Sequence, residues 1–137
     1  MTPRAWIDPV VSSHVLFVGN ALLWAVVGNF PCAGLLLLTA IASTCYHRSG
    51  EADTFWGWAD LTLAVVTLSA TLTAALPRAS TVEAGLVLLL LPLALACKAQ
   101  GDALRGRDDA EGYRRWHTAW HVTVAFGQVL LALLCAA

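Results

Sequence analysis

The sequence predicts an all-α protein, a polytopic transmembrane bundle of five helices in a single domain covering residues 1–137. Of the 137 residues, 58 % are hydrophobic and only 12 % are charged, whereas a soluble domain has about 25 % charged residues. The apolar residues form five stretches that are close to the length needed to cross a bilayer. These segments cover about Val10–Val27, Pro31–Tyr46, Phe55–Leu76, Thr81–Ala99 and Gly112–Leu134.

The first three segments are bounded by recognisable signals. Gly28-Asn29-Phe30-Pro31 forms a turn, and Pro31 suits the first turn of the second helix because its missing N–H has no partner there anyway. His47–Thr54 is a polar loop. The aromatic cluster 55–58 then opens the third segment as an interfacial anchor.

The last two segments follow a turn at residues 77–80. Ser80 or Thr81, together with Glu83, can cap the fourth helix through a capping box. Pro92 lies inside this segment and predicts a kink. Residues 100–111 form the longest polar stretch, so we expect an extended linker before the fifth helix.

The third segment is rich in hydroxyl side chains for a membrane span. We therefore expect its neighbours to enclose it largely, since polar side chains favour contact between helices in lipid. The residues concerned are Thr62, Thr67, Ser69, Thr71 and Thr73.

The net charge and the cysteine content narrow the range of functions to consider. The net charge of −1 gives no indication of nucleic-acid binding. None of the cysteines forms a C-x-x-C pair, and all lie in or beside apolar segments, so buried thiols are expected. The N-terminus carries one arginine before the apolar stretch and no clear cleavage site, so we expect the first helix to be retained. The cysteines are Cys32, Cys45, Cys97 and Cys135.

The basic residues predict the orientation of the bundle. Five crossings place seven of the eight Lys and Arg residues on the side of the second loop, which the positive-inside rule makes cytoplasmic. The N-terminus is then cytoplasmic and the C-terminus lies on the opposite side. Arg78 alone falls on that opposite side, while the others are Arg4, Arg48, Lys98, Arg105, Arg107, Arg114 and Arg115.

Polar side chains on three segments share one depth in this topology. His117 and His121 are four residues apart, so they lie on one helix face at the start of the fifth segment. Ser43 and His47 have the same spacing at the end of the second segment, and Asp60 begins the third. The three histidines and Asp60 fall just inside the cytoplasmic boundary, with Ser43 one turn below His47. Ionisable residues at such positions are costly and usually functional.

This set of residues suits a catalytic zinc ion. Three imidazoles with one open position are a common arrangement for catalytic zinc, and zinc activates water near neutral pH. We predict that His47, His117 and His121 bind Zn2+. Asp60 is a candidate general base or orienting group, and Ser43 a candidate donor to a developing oxyanion.

Each residue also has a simpler interpretation. No metal is needed to explain two interfacial histidines beside tryptophans. The serine can be hydrogen-bonded to its own helix, and the aspartate can be stabilised at a helix N-terminus. His14 begins the first segment on the same side, and a solvated interfacial histidine is the preferred interpretation for it. The agreement in depth across three segments favours the joint site.

At these residues the chain resembles the CREST superfamily of membrane hydrolases, which includes alkaline ceramidases, progestin/adiponectin receptors, GPI-remodelling phospholipases and myomaker-like proteins. The shared pattern is S-x-x-x-H, an aspartate in the next helix and H-x-x-x-H in the last helix. The resemblance implies a zinc ion on the three histidines and cleavage of an amide or ester bond in a lipid. Here the pattern falls on Ser43, His47, Asp60, His117 and His121.

The chain departs from the superfamily in two respects. The superfamily usually has seven helices and this chain five, and removal of two helices preserves the side on which the site assembles. The lipid cavity would then be smaller, open to the bilayer or completed by a second subunit, so a homo-oligomer is possible. The acidic N-terminal cluster that alkaline ceramidases use for calcium is absent, which disfavours ceramide as the substrate.

Three functions remain open at this point. The leading hypothesis is a zinc-dependent lipid amidase or esterase that works by a metal-activated water. The second is a non-catalytic membrane receptor or remodelling protein with a structural zinc site, which a fourth protein ligand would favour. The third, haem binding, fits two histidines on one helix face poorly.

Overall fold

The structure is a computed structural model and describes residues 6–136. Within that range it contains helices, turns and no strand. Five helical stretches there are long and apolar enough to cross a membrane, which confirms the predicted fold class. Arg4, one of the residues used to predict the orientation, lies outside the described residues. The stretches are Pro9–Val26, Phe30–Arg48, Thr54–Arg78, Thr81–Arg105 and Ala110–Ala136.

The first stretch is broken, although the sequence predicted one continuous helix. It consists of α1 (Pro9–Ser12) and α2 (Val15–Val26). At the break the backbone forms tighter i→i−3 bonds, including one of 3.2 Å from the His14 N–H to the Val11 carbonyl. The Ser13 hydroxyl also donates to the Val10 carbonyl at 2.8 Å, a local bond that competes with regular helix.

Side-chain caps define the next two helices, α3 (Phe30–Arg48) and α4 (Thr54–Ala75). The Asn29 side chain accepts from the Cys32 N–H at the start of α3, whose first turn contains the expected proline. Between the two helices the chain reverses through Gly50 and Glu51, with φ of 70° and 64°. A positive φ is costly for a residue with a Cβ, so the side chain of Glu51 must be held by its surroundings.

The last two helices, α5 (Thr81–Arg105) and α6 (Ala110–Ala136), are longer than predicted. The Ser80–Glu83 capping box is present, and α5 continues through Pro92. The expected linker of residues 100–111 shrinks to four residues, 106–109. Hydropathy marks where a helix leaves the apolar layer rather than where it ends, and polar residues near the end of α5 extend it into the interface.

The expectation that the third segment would be enclosed is wrong. Of its five hydroxyl residues, only Thr67 and Thr71 are buried in α4. The Thr71 hydroxyl donates to the Thr67 carbonyl at 2.9 Å. The other three, Thr62, Ser69 and Thr73, are exposed, so the number of hydroxyl residues overestimated the burial of this segment.

The helices pack as two loosely joined groups. Helix α3 packs on α2 and α4, and α5 packs closely on α6. Gly101 lets α5 approach the α6 backbone, since an added Cβ there would lie 3.4 Å from the His117 nitrogen. A core that includes Phe17, Trp24 and Leu36 joins α2, α3 and α6. Helices α4 and α5 hardly contact each other, so a cavity remains between the two groups.

Candidate metal centre and adjoining cavity

All four histidines of the chain gather at one end of the bundle, although they come from the break before α2, the end of α3 and the first half of α6. Each is at most 4 % exposed. The ring centroids of His47 and His117 are 4.7 Å apart, and those of His117 and His121 are 4.8 Å apart. The three histidines predicted as ligands are therefore brought together, with His14 as an additional neighbour.

His47 is oriented by a residue four positions further along the chain. Its Nδ1 lies 2.8 Å from Oε1 of Glu51. An ionised carboxylate only accepts hydrogen bonds, so the proton of His47 is on Nδ1 and a lone pair is on Nε2. A histidine that donates one ring N–H to a carboxylate and offers the other nitrogen to a metal is a common arrangement in metal sites.

His121 has the same tautomer for a different reason. Its Nδ1 lies 2.7 Å from the Ser13 hydroxyl oxygen. Since the Ser13 hydroxyl proton is already donated to the Val10 carbonyl, the oxygen must accept from His121 Nδ1–H. The lone pair of His121 is thus on Nε2, and the break between α1 and α2 positions the serine that selects this tautomer.

The distance between His47 and His117 suits a shared metal ion. Their Nε2 atoms are 3.2 Å apart, and two nitrogens bound to one tetrahedral zinc at about 2.0–2.1 Å are separated by about 3.3 Å. Since His47 carries its proton on Nδ1, the observed contact requires His117 to donate from Nε2. Binding of a metal ion at this position would require the His117 proton to be on Nδ1 instead, with little movement of either ring.

His14 is a buried partner of the cluster rather than the solvated histidine that the sequence favoured. One ring nitrogen from each of His14, His47 and His121 lies within 4.8 Å of the others, a spacing that could hold a metal ion. In the structure His14 contacts two hydroxyls of α3, with Nε2 3.0 Å from Ser43 Oγ and Nδ1 3.0 Å from Thr44 Oγ1. Both ring nitrogens of His14 are therefore engaged by hydroxyl groups.

Glu51 connects three helices beneath the cluster. Its side chain is fully buried, and besides His47 it accepts a hydrogen bond from the Tyr113 hydroxyl and pairs with the Arg105 guanidinium. These contacts explain how a non-glycine residue is kept at positive φ. They also tie the orientation of the His47 ring to the ends of α5 and α6.

Asp60 and Ser43 lie beside the cluster. Both line the cavity. Ser43 itself is 3 % exposed, while Asp60 is half-buried and faces the cavity from α4. Both residues predicted to be catalytic therefore lie on the wall of the cavity that His47, His117 and His121 also line.

The cavity has a volume of about 460 Å³ and runs between α3, α4, α5 and α6. This volume is within the usual range for small-molecule sites. At one end its wall contains His47, Asp60, His117 and His121, and further along it is mostly aliphatic. A ligand with a polar head and an apolar chain matches this division.

Sequence reasoning missed Glu51 and Tyr113, although simple spacing could have indicated both. Glu51 is four residues after His47, and Tyr113 is four before His117, so each shares a helix face or an adjoining turn with a candidate ligand. The role of His14 and Ser13 depends on the break between α1 and α2. Hydropathy gives no signal for such a break inside a continuous apolar stretch.

Comparison with known proteins adds no assignment. No family model, curated protein sequence or solved structure matches this chain.

Proposed function

We propose that this protein is an integral-membrane zinc-dependent hydrolase that cleaves an amide or ester bond in a lipid. The observation that carries the proposal is the histidine cluster at the polar end of an otherwise aliphatic cavity. A site of this kind brings a reactive head group to a metal while its chain stays in an apolar environment. The resemblance to the CREST pattern supports the same chemistry.

His47, His117 and His121 are the residues that would hold the ion. Their donor set of three imidazoles fits zinc with one open coordination position. When bound, zinc would act as a Lewis acid on the carbonyl and supply hydroxide near neutral pH. The distribution of basic residues favours the cytoplasmic side for this site.

Asp60 and Ser43 would perform the proton and charge steps. The Asp60 carboxylate takes the proton of the attacking water and passes it to the leaving group. The Ser43 hydroxyl donates to the oxygen of the tetrahedral intermediate. The buried cluster excludes bulk water from these steps, and the gap between α4 and α5 would admit a lipid from the side.

A lipid panel tests the proposal. Purified zinc-loaded protein is expected to release fatty acid from at least one class of phospholipid or N-acyl lipid. Asp60→Asn should lower the turnover about 10²–10⁴-fold while the zinc content stays unchanged. Asp53→Asn is the matched control, because Asp53 is exposed and its side chain caps α4. Full turnover in Asp60→Asn would remove Asp60 from the mechanism, and no release from any lipid would contradict the proposal.

One observation favours a second candidate, a non-catalytic receptor or remodelling protein with structural zinc. His14 lies close enough to His47 and His121 to share an ion with them, and a structural site normally has four protein ligands. We favour the enzyme because the two ring nitrogens of His14 contact hydroxyls. In contrast, His47 and His121 each carry a lone pair on Nε2, and His47 Nε2 contacts His117 Nε2 rather than a hydroxyl.

A further inference from the structure

A second polar position lies deep in the aliphatic part of the cavity, on α6. Gln128 follows His121 by seven residues, which places it on the same face of the helix. At a rise of ~1.5 Å per residue, it lies about 10 Å further along the axis. Its side chain lines the cavity and is 3 % exposed.

The orientation of the Gln128 amide follows from its neighbour on α4. The Gln128 amide nitrogen lies 3.1 Å from Thr71 Oγ1. The single hydroxyl proton of Thr71 is directed to the backbone carbonyls of Thr67 and Leu68. The threonine oxygen can therefore only accept, so the NH₂ group of Gln128 must face it and the carbonyl oxygen Oε1 points elsewhere.

That oxygen is buried and has no hydrogen-bond partner among residues 6–136. Nearby polar groups in the cavity differ in this respect. The Thr39 hydroxyl donates to the Leu35 carbonyl at 2.8 Å, and Thr67 Oγ1 lies 2.8 Å from Thr39 Oγ1. A buried acceptor left without a donor is costly, and a hydroxyl group on a bound molecule would relieve that cost.

We infer that the cavity selects lipids whose acyl chain carries a hydroxyl group part-way along its length, hydrogen-bonded to Gln128 Oε1. The inference rests on the proposed function, because it takes the polar end of the lipid to lie at the histidine cluster. A chain extending from there along α6 reaches Gln128 before it reaches Leu131, which also lines the cavity. An unsubstituted chain would fill the space but leave the acceptor unpaired.

Binding of free fatty acids tests this without any need for hydrolysis. Zinc-loaded protein is titrated with stearic acid and with a series of hydroxystearic acids that carry the hydroxyl at successive positions, in competition with a fluorescent fatty acid. One mid-chain isomer is expected to bind about tenfold more tightly than stearic acid, as one good hydrogen bond allows. A flat series, or no binding of any acid, would overturn the inference.

Two variants assign the preference to its residue. Gln128→Met keeps the side-chain length and should abolish the preference while stearic acid binds as before. Thr123→Val is the matched control, since Thr123 lines the cavity and its hydroxyl donates to its own helix at the Ala119 carbonyl. A preference that survives in Gln128→Met contradicts the inference, and if that variant does not fold, the wild-type series alone decides.

The outcomes separate this inference from the proposed function. Selective binding of a hydroxylated acid without release of fatty acid from any lipid would contradict hydrolysis and support the subsite. Hydrolysis with equal rates on hydroxylated and plain lipids would support the enzyme and contradict the subsite.

Discussion

The two sides of the cavity are built differently. The metal side is formed by the first span, Phe30–Arg48 and Ala110–Ala136, and the apolar 18-residue windows of these spans are 44 %, 44 % and 33 % buried. On the other side, the corresponding windows of Thr54–Arg78 and Thr81–Arg105 are each 17 % buried. The metal side fixes each imidazole by named hydrogen bonds, while α4 and α5 form a wall with few contacts between them. This difference matches what the proposed function requires, since metal ligands need fixed positions and a lipid needs a route into the cavity.

The largest effect on the metal side is expected at Glu51. Glu51→Gln keeps the shape of the side chain but removes the charge that fixes the His47 tautomer and pairs with Arg105. Loss of such an orienting group typically weakens metal binding about 10–100-fold. Competition with a zinc chelator measures it. Glu111→Gln is the control, because Glu111 is exposed and pairs only with arginines of its own helix among the described residues. Equal zinc affinities in the two variants would show that Glu51 does not act on the metal.

A smaller effect is expected on the other side of the cavity, at the wall formed by α4 and α5. Ala64 lines the cavity from α4, so Ala64→Phe should occupy part of the space for the chain. We expect kcat/KM for the preferred lipid to fall about tenfold, the scale of a misfit in an apolar pocket, with unchanged zinc affinity. Val66→Phe is the control on the exposed face of the same helix. A fall in zinc affinity with Ala64→Phe would show that the two sides are not independent.

The smallest effect is expected at His14. Its hydrogen bonds go to Ser43 and Thr44, so His14→Ala should leave the zinc content at about one ion per chain, as expected for a site with three protein ligands. Elemental analysis of the purified variant measures this. Loss of the ion would make His14 a fourth ligand and favour the structural zinc site over the enzyme.

The sequence was sufficient for the features that depend on periodicity and topology. Five apolar segments defined the fold, and counting the crossings placed His47, Asp60 and the last two histidines at one depth. The sequence was insufficient where the conformation depends on a local hydrogen bond or on a contact between residues far apart in the chain. The break at Ser13 depends on a hydroxyl competing with the helix, and the role of Glu51 depends on the loop that returns it beneath α3.

The roles of several polar residues inside the spans were also not predicted correctly from the sequence. The hydroxyls of α4 predicted an enclosed helix, yet Thr62, Ser69 and Thr73 are exposed. Gln128 attracted no attention in the sequence, because its significance depends on which way its amide faces. Such assignments require the position of the neighbouring hydroxyl proton, which spacing alone does not give.

The metal content of the purified protein tests the central claim most directly. Wild-type protein is expected to hold about one zinc ion per chain, and His47→Ala, His117→Ala and His121→Ala should each lose it while keeping the helical content measured by circular dichroism. Wild-type protein that binds no zinc when the metal is supplied, or zinc that remains in all three variants, would contradict the account.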